Sequence, residues 1–117
     1  MWKFLPNDEF IKRVERWPKK YRRELAAMTA NLHTVYEALR NGAKIEHVRF
    51  GFLHAEPMGV LAITQNGGGA GLKATRLYVY PHKEKEHLHA ITVGDKSSQS
   101  ADIAYCKVFV SGILSEG

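Results

Sequence analysis

The sequence predicts an α+β domain, a helical hairpin packed on a small antiparallel β-sheet and followed by a C-terminal helix. Three features point there. An apolar stripe with a 3.6-residue period runs through Tyr21, Leu25, Met28, Leu32, Val35, Tyr36 and Leu39; four short β-rich runs follow Gly42, with turn residues between them; and a helix-compatible pattern returns after Ser97.

Taken in order, Trp2 to Leu5 alternate enough to form an edge strand. Residues 10 to 17 place Phe10, Ile11, Val14 and Trp17 on one helical face, with Asn7 as N-cap and Pro18 as the stop. The long second helix starts at Lys19 and ends at Asn41-Gly42, where glycine suits the left-handed residue that closes a helix. Val48 to Leu53, Gly59 to Gln65, Lys73 to Tyr80 and His87 to Val93 read as consecutive antiparallel strands. Between the second and third of these, Asn66 to Gly71 is too poor in side chains to pack and is expected to be a mobile hairpin tip. It is no phosphate loop, because a strand follows it rather than Lys-Ser/Thr and a helix. The polar turn Ser97 to Ser100 then opens a helix carrying Ala101, Ile103, Ala104, Val108, Phe109 and Ile113, which leaves the other sheet face for function.

At 117 residues, 44% of them hydrophobic, the chain is expected to be a single domain, 1–117, with a core that needs no disulfide; Cys106 has no partner cysteine. No apolar run approaches a membrane span and the N-terminus lacks a signal-peptide core, so a cytoplasmic protein without membrane contact is expected. Seventeen Lys and Arg against twelve Asp and Glu leave a net charge of +5, which favours an anionic partner and, for a small basic domain, nucleic acid first.

Seven cations fall between Lys12 and Arg23 against the single acid Glu15, and Lys19, Lys20, Arg22 and Arg23 are candidate RNA phosphate contacts. On the third long run, Leu77 and Val79 point to one face, and Arg76, Tyr78 and Tyr80 to the other. A guanidinium beside tyrosines on an open sheet suits RNA, through phosphate pairing and base stacking. Lys73 and His87 extend that face. His87 and His89 share one side of their strand without a third ligand at any recognised spacing, so no metal is expected and acid-base or contact roles fit the histidines better.

From Ile91 to Lys96 the chain reads Ile-Thr-Val-Gly-Asp-Lys ahead of a polar turn and a helix. A preceding strand reads Arg76-Leu77-Tyr78-Val79-Tyr80, and the opening is a Phe-containing helix ended by Trp17-Pro18. In these features the sequence resembles the RelE/ParE superfamily of bacterial and phage toxins, including its HigB-like branch. The resemblance implies a RelE-like fold and a metal-independent mRNA endoribonuclease needing no cofactor, working with or without the ribosome and restrained by an antitoxin protein. It implies that Arg76 binds the scissile phosphate, that Lys96 stabilises the charge developing in the transition state, and that His54 or His89 serves acid-base chemistry. The run Val60 to Gln65 carries no cation where cleaving members often do, and Asp102 stands where the best-known branch places a tyrosine. Those departures leave room for the ParE-type alternative, a non-nuclease toxin acting on DNA gyrase, and for an inactive RNA-binding protein.

Overall fold

The computed structural model describes residues 1–66 and 69–116, so the expectation of a mobile tip falls in part on Gly67 and Gly68, outside the described residues. Its elements are β1 (Lys3–Pro6), α1 (Asp8–Glu15), α2 (Arg22–Arg40), β2 (Leu53–Ala55), β3 (Leu61–Thr64), β4 (Thr75–His82), β5 (His87–Asp95) and α3 (Gln99–Ser115). The strands form one sheet in the order β1-β5-β4-β3-β2. Four strands pair antiparallel as expected, but β1 runs parallel to β5, with Lys3 opposite His87 and Pro6 opposite Ala90. The sheet is therefore mixed. No tight turn ties β1 to its partner, so the antiparallel direction that a hairpin imposes does not bind it.

The sheet separates two apolar clusters. On one face Met28, Leu32, Val35 and Leu39 of α2 pack with Ile63, Leu77, Val79, Leu88 and Val93, and Phe10, Val14 and Trp17 close the same cluster from the α1 side. This is the stripe read from the sequence. Glu24 also lies on it, buried, because its Oε2 accepts the backbone N–H of Lys73 at 2.8 Å and so ties the first turn of α2 to the approach to β4. Leu32→Ala should cost about 2–5 kcal/mol, read as a lower denaturant midpoint at unchanged m-value.

Two expected elements differ in detail. The run from Val48 forms no strand: it follows a 3-10 turn at Ile45–His47, Val48 is buried in the core, and Phe50 and Phe52 stack at 5.0 Å. Its β-prone side chains plug the core instead of joining a ladder, and pairing starts only at Leu53. Residues Lys19–Tyr21 form a 3-10 turn before α2 rather than its first turn.

On the opposite face Val60, Ala62, Tyr78 and Ile91 meet Cys106 and Val110 of α3. The inward face of α3 is Asp102, Cys106 and Val110, while Val108 is 72% exposed. The helix is apolar on nearly every side, so its pattern selects no face. A bulge helps to seal this side: Tyr78 pairs with Thr92 and Val79 with Ala90, which leaves Ile91 as the extra residue, turned toward α3. None of the helices among the described residues is long and apolar enough to cross a membrane.

Candidate nucleic-acid interface

The sheet face expected to be open is covered by α3, and this changes the standing of its aromatic residues. Tyr78 is fully buried, so it cannot stack on a base. Its hydroxyl has no hydrogen-bond partner among the described residues, and burial holds its pKa well above the usual tyrosine value. Tyr80 and His87 keep partial exposure at the far end of the same face. Burial pushes the Cys106 thiol up to about 12, so it is an inert part of the packing rather than a nucleophile.

What seats α3 is a polar network that sequence reasoning missed. Asp102, 1% exposed, accepts from Arg13 Nη1 and from Ser98 Oγ, each at 2.7 Å. Arg13 Nη1 also donates to the Val93 carbonyl at 3.1 Å, and Arg13 Nε pairs with Glu9 at 3.0 Å. Partial burial works to lower the Arg13 pKa, but the Asp102 and Glu9 carboxylates outweigh it and hold it above its usual value. Asn7 stands at the N-cap of α1, yet its side chain does no capping; Nδ2 donates to the Ile91 carbonyl and to the Tyr105 hydroxyl, both at 3.0 Å. The available signal was the lone acidic residue of a helix whose one other charged residue is Lys107.

The four residues expected to carry catalysis do not gather: Arg76 and Lys96 lie at one end of the sheet, His89 at the other, and His54 on the edge strand β2, level with Tyr78. Arg76 lies opposite Gly94 on β5, two residues before Lys96, which opens the 3-10 turn after β5, so these two cations share one end of the sheet. Lys96 is exposed; Arg76 is partly exposed, its Nη1 3.7 Å from Glu56 Oε2. Glu56 leads into a tight turn in which Met58 adopts a left-handed backbone, φ 62°. His54 is exposed on β2 opposite Ala62. His89 pairs with Tyr80, four residues along β4 from Arg76 and hence roughly 13 Å away at about 3.3 Å per residue. His89 is therefore not brought together with Arg76. It is buried, its ring set against Tyr80, His87 and Phe109.

Burial, reinforced by His87 and His82, lowers the His89 pKa below 6.5; Lys85 acts in the same direction and Glu116 opposes them. A folded value below the unfolded one means that keeping His89 neutral stabilises the fold above about pH 6.5, and that this contribution is lost as pH falls toward the folded value. The melting temperature should fall between about pH 7.5 and about pH 5, and His89→Asn should flatten that fall. Asp95 adds its own loss only below its ordinary 3.8, since Lys73 and Ser97 hold its carboxyl far below the usual range.

Among the cations, Lys19, Lys20, Arg22 and Arg23 are exposed and make no ion pair among the described residues, as a phosphate-binding surface requires. Lys73 differs: its ammonium is 2.8 Å from Asp95 and lies over the Tyr21 ring at 4.5 Å, and the Asp95 bond holds its pKa up. Its charge is engaged within the fold. Beside it, the α1 end, the Tyr21 turn and the Gly94–Ser98 segment enclose a cleft of about 430 Å³. No three His, Cys, Asp or Glu side chains among the described residues converge as a metal site would need.

No family model, no curated protein and no solved structure matches this chain.

Proposed function

We propose that this chain is a toxin of the RelE/ParE kind that binds RNA along the α1–α2 side and cleaves it, without a metal or cofactor, at the end of the sheet that carries Arg76 and Lys96. The single observation that carries this reading is the pairing of Arg76 with Gly94, two residues before Lys96, in a chain whose Lys19, Lys20, Arg22 and Arg23 are exposed. A scissile phosphate needs cations on the developing charge, and these two stand on β4 and on the turn that ends β5, its neighbour. An antitoxin that covers this end with an acidic segment would neutralise both functions at once.

The test of RNA binding is its salt dependence. Replacing Lys19, Lys20, Arg22 and Arg23 with Gln should reduce the slope of log affinity against log salt by up to roughly 3, at about 0.7 per lost phosphate contact on single strands. An unchanged slope removes this cluster from the interface.

A second reading, a non-nuclease toxin directed at a protein such as DNA gyrase, is favoured by one observation. Arg76 is paired with Glu56, and His89 lies four residues along the sheet from it.

A further inference from the structure

We infer that the cleft between α1, the Tyr21 turn and the end of β5 binds one nucleoside monophosphate unit, free or at the end of an RNA chain. The choice of ligand class rests on the RNA reading above. Four cations line the cleft against two carboxylates. Two of the four are neutralised inside the fold: Arg13 by Asp102 and Glu9, and Lys73 by Asp95. Lys12 and Arg16 remain, exposed and without an ion pair among the described residues. Four residues apart, they stand on one side of α1 and its C-cap, where two cations can share one phosphate.

The backbone N–H groups of Ser97 and Ser98 are already taken by the Asp95 carboxylate, so anion binding falls to side chains. An aromatic surface lies alongside. Trp17 is half-buried and its ring is fixed by the Nε1–H donated to the Tyr21 carbonyl at 2.9 Å. Tyr21 itself is flanked by the ammonium groups of Lys20 and Lys73, at 5.1 and 4.5 Å, which leaves Trp17 as the platform for a base. The volume of about 430 Å³ falls low in the range of small-molecule clefts, about 300–1,000 Å³, and suits one nucleotide rather than a length of strand.

The full chain should be titrated with AMP, UMP, adenosine and inorganic phosphate, reading the two indole N–H signals by NMR, one for Trp17 and one for the buried Trp2. AMP and UMP should shift the Trp17 signal and bind about 10-fold or more tightly than either fragment. Lys12→Gln with Arg16→Gln should weaken them by about 10-fold or more at unchanged melting temperature. A Trp17 signal unmoved by millimolar AMP, inorganic phosphate binding as tightly as AMP, or a double variant binding like wild type overturns the inference.

Short RNAs with and without a 5'-phosphate separate the two sources. A preference for the phosphorylated RNA that the double variant abolishes assigns the cleft to a chain end. Nucleotide binding with no such preference assigns it to free nucleotides. If RNA binds through Lys19 to Arg23 while AMP leaves Trp17 untouched, the cleft assignment fails and the RNA reading stands. If AMP binds and no RNA does, the RNA reading fails and the cleft remains a free-nucleotide site.

Discussion

Gly94→Ala should destabilise the fold by about 2–3 kcal/mol, and loosen α3 before it loosens α2. A Cβ at Gly94 would stand 2.2 Å from Asp102 Oδ2 and 2.3 Å from Ser98 Oγ, far inside contact distance. Both neighbours are held by their own bonds, so neither is a flexible tip that can swing aside. The added methyl must push Asp102 off Arg13, which leaves a buried carboxylate without its cation. Breaking such a pair costs about 3–5 kcal/mol, reduced here because Arg13 keeps 36% exposure and water can reach it. Urea melts give the magnitude. Hydrogen exchange gives the order of loss: protection should vanish first in Gln99–Ser115. A variant as stable as the parent would mean that α3 can shift outward at no cost, and the network would not be what seats it.

Arg76→Ala should lower RNA cleavage by about 100- to 1000-fold, the usual loss when a fixed donor to developing charge is removed. Its effect on stability should stay under about 1 kcal/mol, because the 3.7 Å contact with Glu56 is long and Arg76 is 32% exposed. Lys96→Ala should match it in rate with no change in melting temperature, since Lys96 is exposed. Activity should survive EDTA. Cleavage that persists in both variants removes this end of the sheet from the chemistry. Growth arrest by wild-type protein without new RNA 5' ends, accompanied by gyrase-linked DNA breaks, would instead establish the protein-directed reading.

The parts of the fold that were legible in the sequence are those where one side of an element differs chemically from the other. The α2 stripe is flanked by polar residues such as Thr29, Asn31, His33 and Thr34, so Met28, Leu32 and Leu39 could be placed on the sheet from spacing alone, and the alternation of Leu77 and Val79 against Arg76 and Tyr78 fixed the faces of β4. α3 offered no such contrast. Its inward face is decided by Asp102, whose partner Arg13 lies 89 residues away, and pairwise partners at that separation leave no local trace. The same blindness misplaced Tyr78: an aromatic beside an arginine reads alike whether α3 covers it or solvent does. At the candidate site, Arg76 and Lys96 were legible as cations, but the ion pairs that engage Lys73 and Arg76 depend on tertiary neighbours. His89 was misjudged because a histidine's spacing along its strand says nothing of its depth.

The parallel pairing of β1 with β5 has a consequence for the order of assembly. Lys3 meets His87, the Asn7 side chain reaches Ile91 and Arg13 reaches Asp102, so the first strand and first helix have their partners in the last third of the chain. Closing so wide a loop is entropically slow, and contacts of this span push a domain toward the slower end of folding rates. During synthesis residues 3–13 emerge before these partners and must wait, unpaired, until β5 and the start of α3 have been made. The β2–β3–β4–β5 hairpins and α2 can collect meanwhile from nearer neighbours. The last event is then the docking of the N-terminal segment, which completes both the cleft beside Lys12 and the anchor of α3 in one step. A nascent chain would carry no cleft before Gly94–Ser98 had emerged, and no anchor for α3 before Asp102 had.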